Sequence, residues 1–330
     1  MTKPLRAAIK GLGVAVPRKV LTNADFERMV DTSDDWITQR TGIKKRHVVG
    51  EGESTATLGA AAARAAMAEA GVKPRELDLI ICATVSQEML IPATACFIQS
   101  ELGAADVPSF DLSAACSGFP YALAVASQFI QTGMYKRVLV IGADALTRFT
   151  DYSDRGSCIL FGDGAGAVVL GPANDDRHGI LYNVLHSDGS GWDYIHVPAG
   201  GSRTPPSHAT VDAKGHYVKM RGREVYKFAV EKMQWLLEDC MKHCKLSVAD
   251  VDMVIPHQVN SRIIASATEK LKFPPEKVYV NIDRYGNTSA ASIPLAMADA
   301  RSEGRIKAGS LLLLVAFGAG LTWAGTVVRL

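Results

Sequence analysis

Short runs of branched apolar residues alternate along this chain with longer stretches in which small apolar residues recur at helical spacing. Residues 78–83 (DLIICA) and 138–143 (VLVIGA) read as strands buried on both faces. Between positions 53 and 70, Leu58, Ala62, Ala66 and Ala70 mark one helix face, with Ser54 or Thr55 ahead of them as the cap. The small side chains on that face predict close packing. A second, longer helical pattern runs over 217–244. Residues 187–215, rich in Gly, Pro, Ser and His and lacking periodicity, read as an ordered excursion or lid. The alternation defines an α/β protein.

A faint internal repeat organises these elements. A shift of 174 residues lays 78–81 (DLII) on 252–255 (DMVI), 120–124 (PYALA) on 294–298 (PLAMA), and 138–142 (VLVIG) on 312–316 (LLLVA). Two similar α/β halves, duplicated and fused, explain this most simply. The polar, Pro- and Gly-bearing stretch 171–179 sets the expected join, giving halves 1–173 and 174–330.

At 330 residues the chain exceeds one ordinary core, in keeping with two halves. Lys+Arg 36 against Asp+Glu 34 leaves a formal charge of +2, which argues against nucleic acid as a partner. The longest apolar run near the C-terminus, 311–317, is far short of the roughly 20 residues a membrane span needs. The first residues, 1–6, carry no signal-peptide apolar core, so the expected compartment is the cytoplasm. The six cysteines accordingly read as reduced thiols. Cys240, His243 and Cys244 share a helix face, but three soft ligands on one helix do not complete a tetrahedral metal site.

One cysteine stands apart. Residues 109–120 (SFDLSAACSGFP) place Cys116 between a strand-like and a helix-like run, walled by Ala114, Ala115, Ser117 and Gly118. The field at a helix N-terminus favours a thiolate there, and an adjacent backbone amide can hold an oxyanion. The plainer alternative is a structural cysteine in a tight turn. His257, in 254–263 (VIPHQVNSRI), and Asn287, in 283–292 (DRYGNTSAAS), follow apolar segments of the second half. Asn287 falls three residues before the repeat image of Cys116. Singly they read as a hydrogen-bonded histidine and a turn residue. Together, an imidazole N–H and an amide N–H can donate to one carbonyl oxygen and stabilise an enolate left by loss of carbon dioxide.

These segments, with 31–43 (DTSDDWITQRTGI), 161–167 (FGDGAGA) and 317–323 (FGAGLTW), closely resemble the β-ketoacyl-acyl-carrier-protein synthases III, initiating condensing enzymes of bacterial fatty acid synthesis within the thiolase-like superfamily. The resemblance spans essentially the whole chain. It implies a thiolase-like fold with two duplicated halves in a five-layered αβαβα arrangement. It also implies decarboxylative condensation of an acyl-coenzyme A primer with malonyl-acyl-carrier protein. Cys116 becomes the acylated nucleophile, His257 and Asn287 the decarboxylation site, and the amides of Cys116 and Ala319 the oxyanion hole. Trp36, Arg40 and Arg155 match the coenzyme A contacts, and Ile91, Leu160 and Met220 the acyl pocket. Arg262, Lys227 and Lys270 match the carrier-protein docking face. No cofactor or metal is implied, coenzyme A thioester being a substrate, and a homodimer is expected in which the partner closes the acyl pocket near Ile91. Val259 departs from the family's usual small alanine after the His-Gln pair. A related enzyme of secondary metabolism, using another acceptor, would share the same three groups. The glycine run 162–166 does not fit a dinucleotide fingerprint, because it falls inside a closing strand.

Overall fold

The structure is a computed structural model describing residues 5–330; residues 1–4, part of the N-terminal segment read above, lie outside the described residues. Two sheets face each other. The first comprises β1 (Ala7–Ala15), β2 (Leu79–Ala83), β3 (Ser109–Leu112), β4 (Val138–Ala145) and β5 (Asp163–Pro172), in the spatial order β1-β5-β4-β2-β3. The second comprises β6 (Gly179–Ser187), β7 (Met253–Pro256), β8 (Leu311–Gly318) and β9 (Thr322–Arg329), in the order β6-β9-β8-β7. Both use the same pairing. β2 and β4, like β7 and β8, run parallel, β3 joins the far side of β2 in parallel, and the other strands continue antiparallel from β4 and β8. Val278 makes a parallel bridge to Val254 of β7, in the place that β3 takes beside β2.

Seven helices build the layers and the site: α1 (Asp34–Thr41), α2 (Thr55–Ala70), α3 (Thr94–Leu102), α4 (Gly118–Gln131), α5 (Gly222–Cys244), α6 (Ser261–Lys270) and α7 (Ser292–Ser302). Strand alternation decides which cluster each side chain joins. Ile80, Cys82, Leu139 and Ile141 pack outward under α2 and α3. Leu79, Ile81, Val138 and Val140 pack inward on Phe119 and Leu123 of α4 and Ile293 and Met297 of α7, which Met253, Ile255, Leu312 and Leu314 meet from the second sheet. The outer face of that sheet, with Val254, Leu313 and Val315, lies under α5 and α6. The five layers αβαβα follow. Each fully buried Phe or Leu of the central layer contributes about 1.5–3 kcal/mol.

The close packing expected around 53–70 is present. Ser54 caps α2, accepting from Thr57 N–H, and Gly71 ends it in the left-handed conformation. A Cβ on Gly13 of β1 would stand 2.3 Å from Ala62 O, so glycine on the strand and alanine on the helix permit the approach. The 174-residue repeat reappears in the element boundaries: β2 and β7 begin at Leu79 and Met253, α4 and α7 at Gly118 and Ser292, and α2 and α5 end at Ala70 and Cys244.

The long helix starts at Gly222 rather than near 217, because Lys219–Met220 pair instead with Ile195–His196 of the excursion. That excursion is ordered, carrying the short helix His208–Asp212. No helix among the described residues is long and apolar enough to cross a membrane.

Candidate active site

Cys116 sits in the 3-10 turn Ala115–Ser117 that leads into α4, and Asn287 stands just before the matching turn Ser289–Ala291 that leads into α7. His257 follows β7. All three line one cavity of about 250 Å3, together with Ala319.

Backbone pairing fixes His257: its N–H donates to Val315 O at 2.8 Å, extending the β7/β8 ladder. The buried Gln258 side chain locks the following turn, donating to Pro256 O and Tyr279 O and accepting from Asn281 N–H. Nδ1 of the imidazole lies 2.7 Å from Ser292 Oγ, and Nε2 is buried without a partner. A hydrogen bond donated by that hydroxyl to Nδ1 leaves the ring's own proton on Nε2. Burial drives the ring's pKa down to about 3, keeping it a neutral donor.

Asn287 is pinned across the seam. Its N–H donates to Leu160 O at 2.9 Å and its carbonyl accepts from Gly162 N–H at 3.0 Å. The Oδ1 end accepts from Ser289 N–H at 2.9 Å, so the amide NH2 is the end left for a ligand. Gly162 is required here, since a Cβ would fall 2.1 Å from Tyr285 O.

The Cys116 thiol corrects one expectation. Burial pushes its pKa up to about 12, with the neighbouring Asp144 charge adding to the rise and the Ser289 hydroxyl opposing it. Desolvation of a thiolate inside an apolar cavity outweighs the field of the helix N-terminus here. Opposite Cys116, a Cβ on Gly318 would lie 2.6 Å from the Cys116 amide nitrogen. Thr322 Oγ1 donates to Ala114 O at 2.9 Å, and Ser117 Oγ donates to Thr322 O at 3.1 Å. These bonds clip the 318–322 loop, with the Ala319 amide, against the cysteine turn.

Leu160, Met220 and Val259 line the cavity, with Val85, Leu146, Phe149 and Ile195 completing an apolar wall. Ile91 does not: it lies outside the cavity of its own chain and is 84% exposed. The loop carrying it turns away from the core beside the edge strand β3, which sequence position alone does not reveal. Trp36 is flanked by two guanidiniums, Arg40 at 5.7 Å and Arg155 at 5.3 Å from its ring centre, and Arg155 also meets the Asp31 carboxylate at 3.2 Å. Asn260 caps α6, and its amide donates to Arg40 O at 2.9 Å, so exposed Arg262 begins a helix docked beside the Trp36 face. Lys227 is exposed on the adjacent α5, whereas Lys270, at the far end of α6, is tied to Gln234 Oε1 at 3.0 Å.

Cys240 is fully buried, and His243 stacks on Tyr182 at 3.9 Å. Among the described residues no group of three or more His, Cys, Asp or Glu side chains is placed to hold a metal ion. The 162–166 glycines serve packing: a Cβ on Gly166 would lie 2.5 Å from the Pro294 ring. Ser292 and Ser289 were not singled out in the sequence, although the repeat maps them onto Gly118 and Ala115 at the cysteine turn. Phe317, edge-on to His257 at 5.7 Å, was visible only as part of a motif.

The fold, with a thiol, a neutral histidine and an asparagine amide gathered in one cavity at the seam of its two halves, is that of the thiolase-like condensing enzymes. Residues 110–189 match the family profile "3-Oxoacyl-[acyl-carrier-protein (ACP)] synthase III", and residues 241–330 match its C-terminal counterpart. This chain belongs to the β-ketoacyl-acyl-carrier-protein synthase III family. It is 50% identical to the beta-ketoacyl-[acyl-carrier-protein] synthase III of Caldanaerobacter subterraneus subsp. tengcongensis, covering 100% of this chain and 99% of the relative. The Symbiobacterium thermophilum protein of the same name is 51% identical, covering 97% of each chain. The solved 3-oxoacyl-[acyl-carrier-protein] synthase III from Aquifex aeolicus VF5 superposes with a TM-score of 0.91 at 45% identity, over 98% of this chain and 100% of that one.

Proposed function

We propose that Cys116, His257 and Asn287 carry out the decarboxylative condensation of an acyl-coenzyme A primer with malonyl-acyl-carrier protein, the step by which this family initiates fatty acid synthesis. In the first half-reaction the Cys116 sulfur attacks the primer thioester and coenzyme A departs. The amides of Cys116 and Ala319 hold the oxyanion. In the second, His257 Nε2–H and the Asn287 NH2 donate to the malonyl thioester oxygen. They stabilise the enolate formed as carbon dioxide leaves, and its carbon attacks the acyl-Cys116 carbonyl. The observation that carries this reading is the unpartnered, neutral Nε2 of His257 in the same cavity as the free end of Asn287.

Trp36, Arg40 and Arg155 are the proposed coenzyme A contacts, an aromatic plane between two phosphate-matching guanidiniums. Arg262 and Lys227 are the proposed docking cations for the acidic carrier protein, with Lys270 more peripheral. The acyl pocket is Leu160 and Met220, completed by Ile91 of a second copy. Support for that dimer lies in the edge strand β3, where Phe110 is 37% exposed beside Met89, Leu90 and Ile91, all exposed. No cofactor enters the scheme.

The test is intact-protein mass spectrometry with a panel of acyl-coenzyme A donors, followed by malonyl-carrier protein. An adduct absent from Cys116→Ala and discharged by the malonyl partner is expected. In Asn287→Ala the adduct should still form while carbon dioxide release falls about 100-fold or more. No adduct with any donor would overturn the reading, and an adduct that ignores malonyl-carrier protein would point to a different acceptor.

A further inference from the structure

The turns before α4 and α7 are related by the internal repeat, and at each a non-glycine residue holds the left-handed conformation, Ala115 at φ 47° and Ser289 at φ 51°. Such a backbone is unstrained only for glycine. Ala115 presents a methyl, which packs where a Cβ on Gly318 would lie 3.0 Å away. At the equivalent position Ser289 carries a hydroxyl into the catalytic cavity, and that hydroxyl is fully buried with no hydrogen bond of ordinary geometry. A buried hydroxyl left without a partner is costly, and nothing assigned so far uses it.

Two acceptors lie near it: the Cys116 sulfur lines the same cavity, and the Asp144 carboxylate accepts from the N–H of the next residue, Ala290, at 3.2 Å; the hydroxyl holds the pKa of both groups down. Asp144 is already supplied. It accepts from Thr84 Oγ1, Val85 N–H, Ser86 N–H, Ser86 Oγ and Ala290 N–H. In the resting site the groups placed to donate to the sulfur are the Ser289 hydroxyl and the Cys116 backbone N–H. A thiol is a weak acceptor, whereas a thiolate is a strong one, so the bond forms as charge appears on sulfur.

We propose that Ser289 is a catalytic residue of the first half-reaction, its hydroxyl donating a hydrogen bond to the Cys116 sulfur as that sulfur becomes a thiolate. In the step it supports, the Cys116 S–H bond breaks and a new sulfur–acyl bond forms. The coenzyme A sulfur–acyl bond breaks, and the departing sulfur ends with the proton that Cys116 gave up. Ser289 keeps its own proton throughout. The donor also offsets the carboxylate of Asp144, whose like charge opposes ionisation. The inference rests on Cys116 being the acylated nucleophile.

The test reads the thiol without any acyl donor. Iodoacetamide alkylation of the peptide carrying Cys116 is followed against pH in the wild type, Ser289→Ala and Ser289→Gly. Alanine at this backbone angle is tolerated at Ala115, and glycine relieves strain, so both variants remove the hydroxyl from opposite directions of backbone preference. Both should be alkylated about tenfold more slowly than wild type across neutral and mildly alkaline pH, equivalent to a thiol pKa higher by about one unit. Alkylation curves that superimpose on the wild type would overturn the proposal. So would slowing in the alanine variant that glycine reverses, because backbone strain would then be the cause. Superimposed curves in an enzyme whose Cys116 still takes up acyl groups sink the role of Ser289 alone, whereas failure of acyl uptake in the wild type sinks the nucleophile with it.

Discussion

Ser292 Oγ, the first residue of α7, lies 2.7 Å from Nδ1 of His257, reaching across 35 residues of chain from one strand end to one helix start. The contact decides which ring nitrogen carries the proton. Ser292→Ala frees the ring to adopt the other tautomer, which turns a lone pair rather than an N–H toward the malonyl thioester. Carbon dioxide release should fall about tenfold, in line with the loss of one positioning hydrogen bond, while the acyl adduct on Cys116 forms normally. Mass spectrometry and carbon dioxide release measured on the same preparation separate the two half-reactions.

The neutral state of His257 has a consequence for stability. Its pKa is lower in the folded protein, about 3, than its ordinary 6.5, so the folded state binds fewer protons between those values. The contribution is therefore complete above about pH 6.5 and is lost as pH falls toward 3. Thermal melts of the wild type and His257→Gln over that range should show the wild type losing stability relative to the variant as the solution is acidified. A constant difference would mean that the ring is not buried in its neutral form.

Gly318 marks a close approach between the halves, directly against the cysteine turn. A methyl there would stand 2.6 Å from the Cys116 amide and 3.0 Å from the Ala115 methyl. Gly318→Ala should cost about 1–3 kcal/mol of stability by overpacking, and should depress acyl transfer further by separating the Cys116 and Ala319 amides. Denaturant melts and the rate of adduct formation measure the two effects independently.

Phe110 and Leu90 test the proposed dimer. Phe110→Glu or Leu90→Asp places charge on the exposed apolar edge beside β3, and sedimentation should show dissociation toward monomers. If Ile91 of a partner closes the acyl pocket, the dissociated form should also lose primer turnover while Cys116 remains open to alkylation.

Arg262 sits on the rim beside the Trp36 face, so Arg262→Glu should raise the KM for malonyl-carrier protein with little change in KM for acyl-coenzyme A. The defect should narrow as salt screens the wild-type attraction. Equal effects on both substrates would move Arg262 from the docking face to the coenzyme A site.

Much of this architecture is legible in the chain because it depends on local pattern. The runs at 79–83 and 138–145 are legible as strands because they are short, rich in Ile and Val and apolar on both faces, and the alanine face of α2 is legible because its spacing is helical. Cys116, His257 and Asn287 stand out because duplication places strand ends and helix starts at matching positions, so one repeat shift predicts their meeting. What the linear order does not contain is the environment created when the halves close. The thiol's upward pKa shift comes from desolvation by residues distant in sequence, and the Nδ1 contact of His257 comes from a serine 35 positions away. Ile91 matches the acyl-pocket position yet faces away from its own cavity. Periodicity and repeat come from covalent order and determine the elements, the halves and the reactive residues. Burial, charge and hydrogen bonding depend on which surfaces meet, and only the tertiary structure decides those.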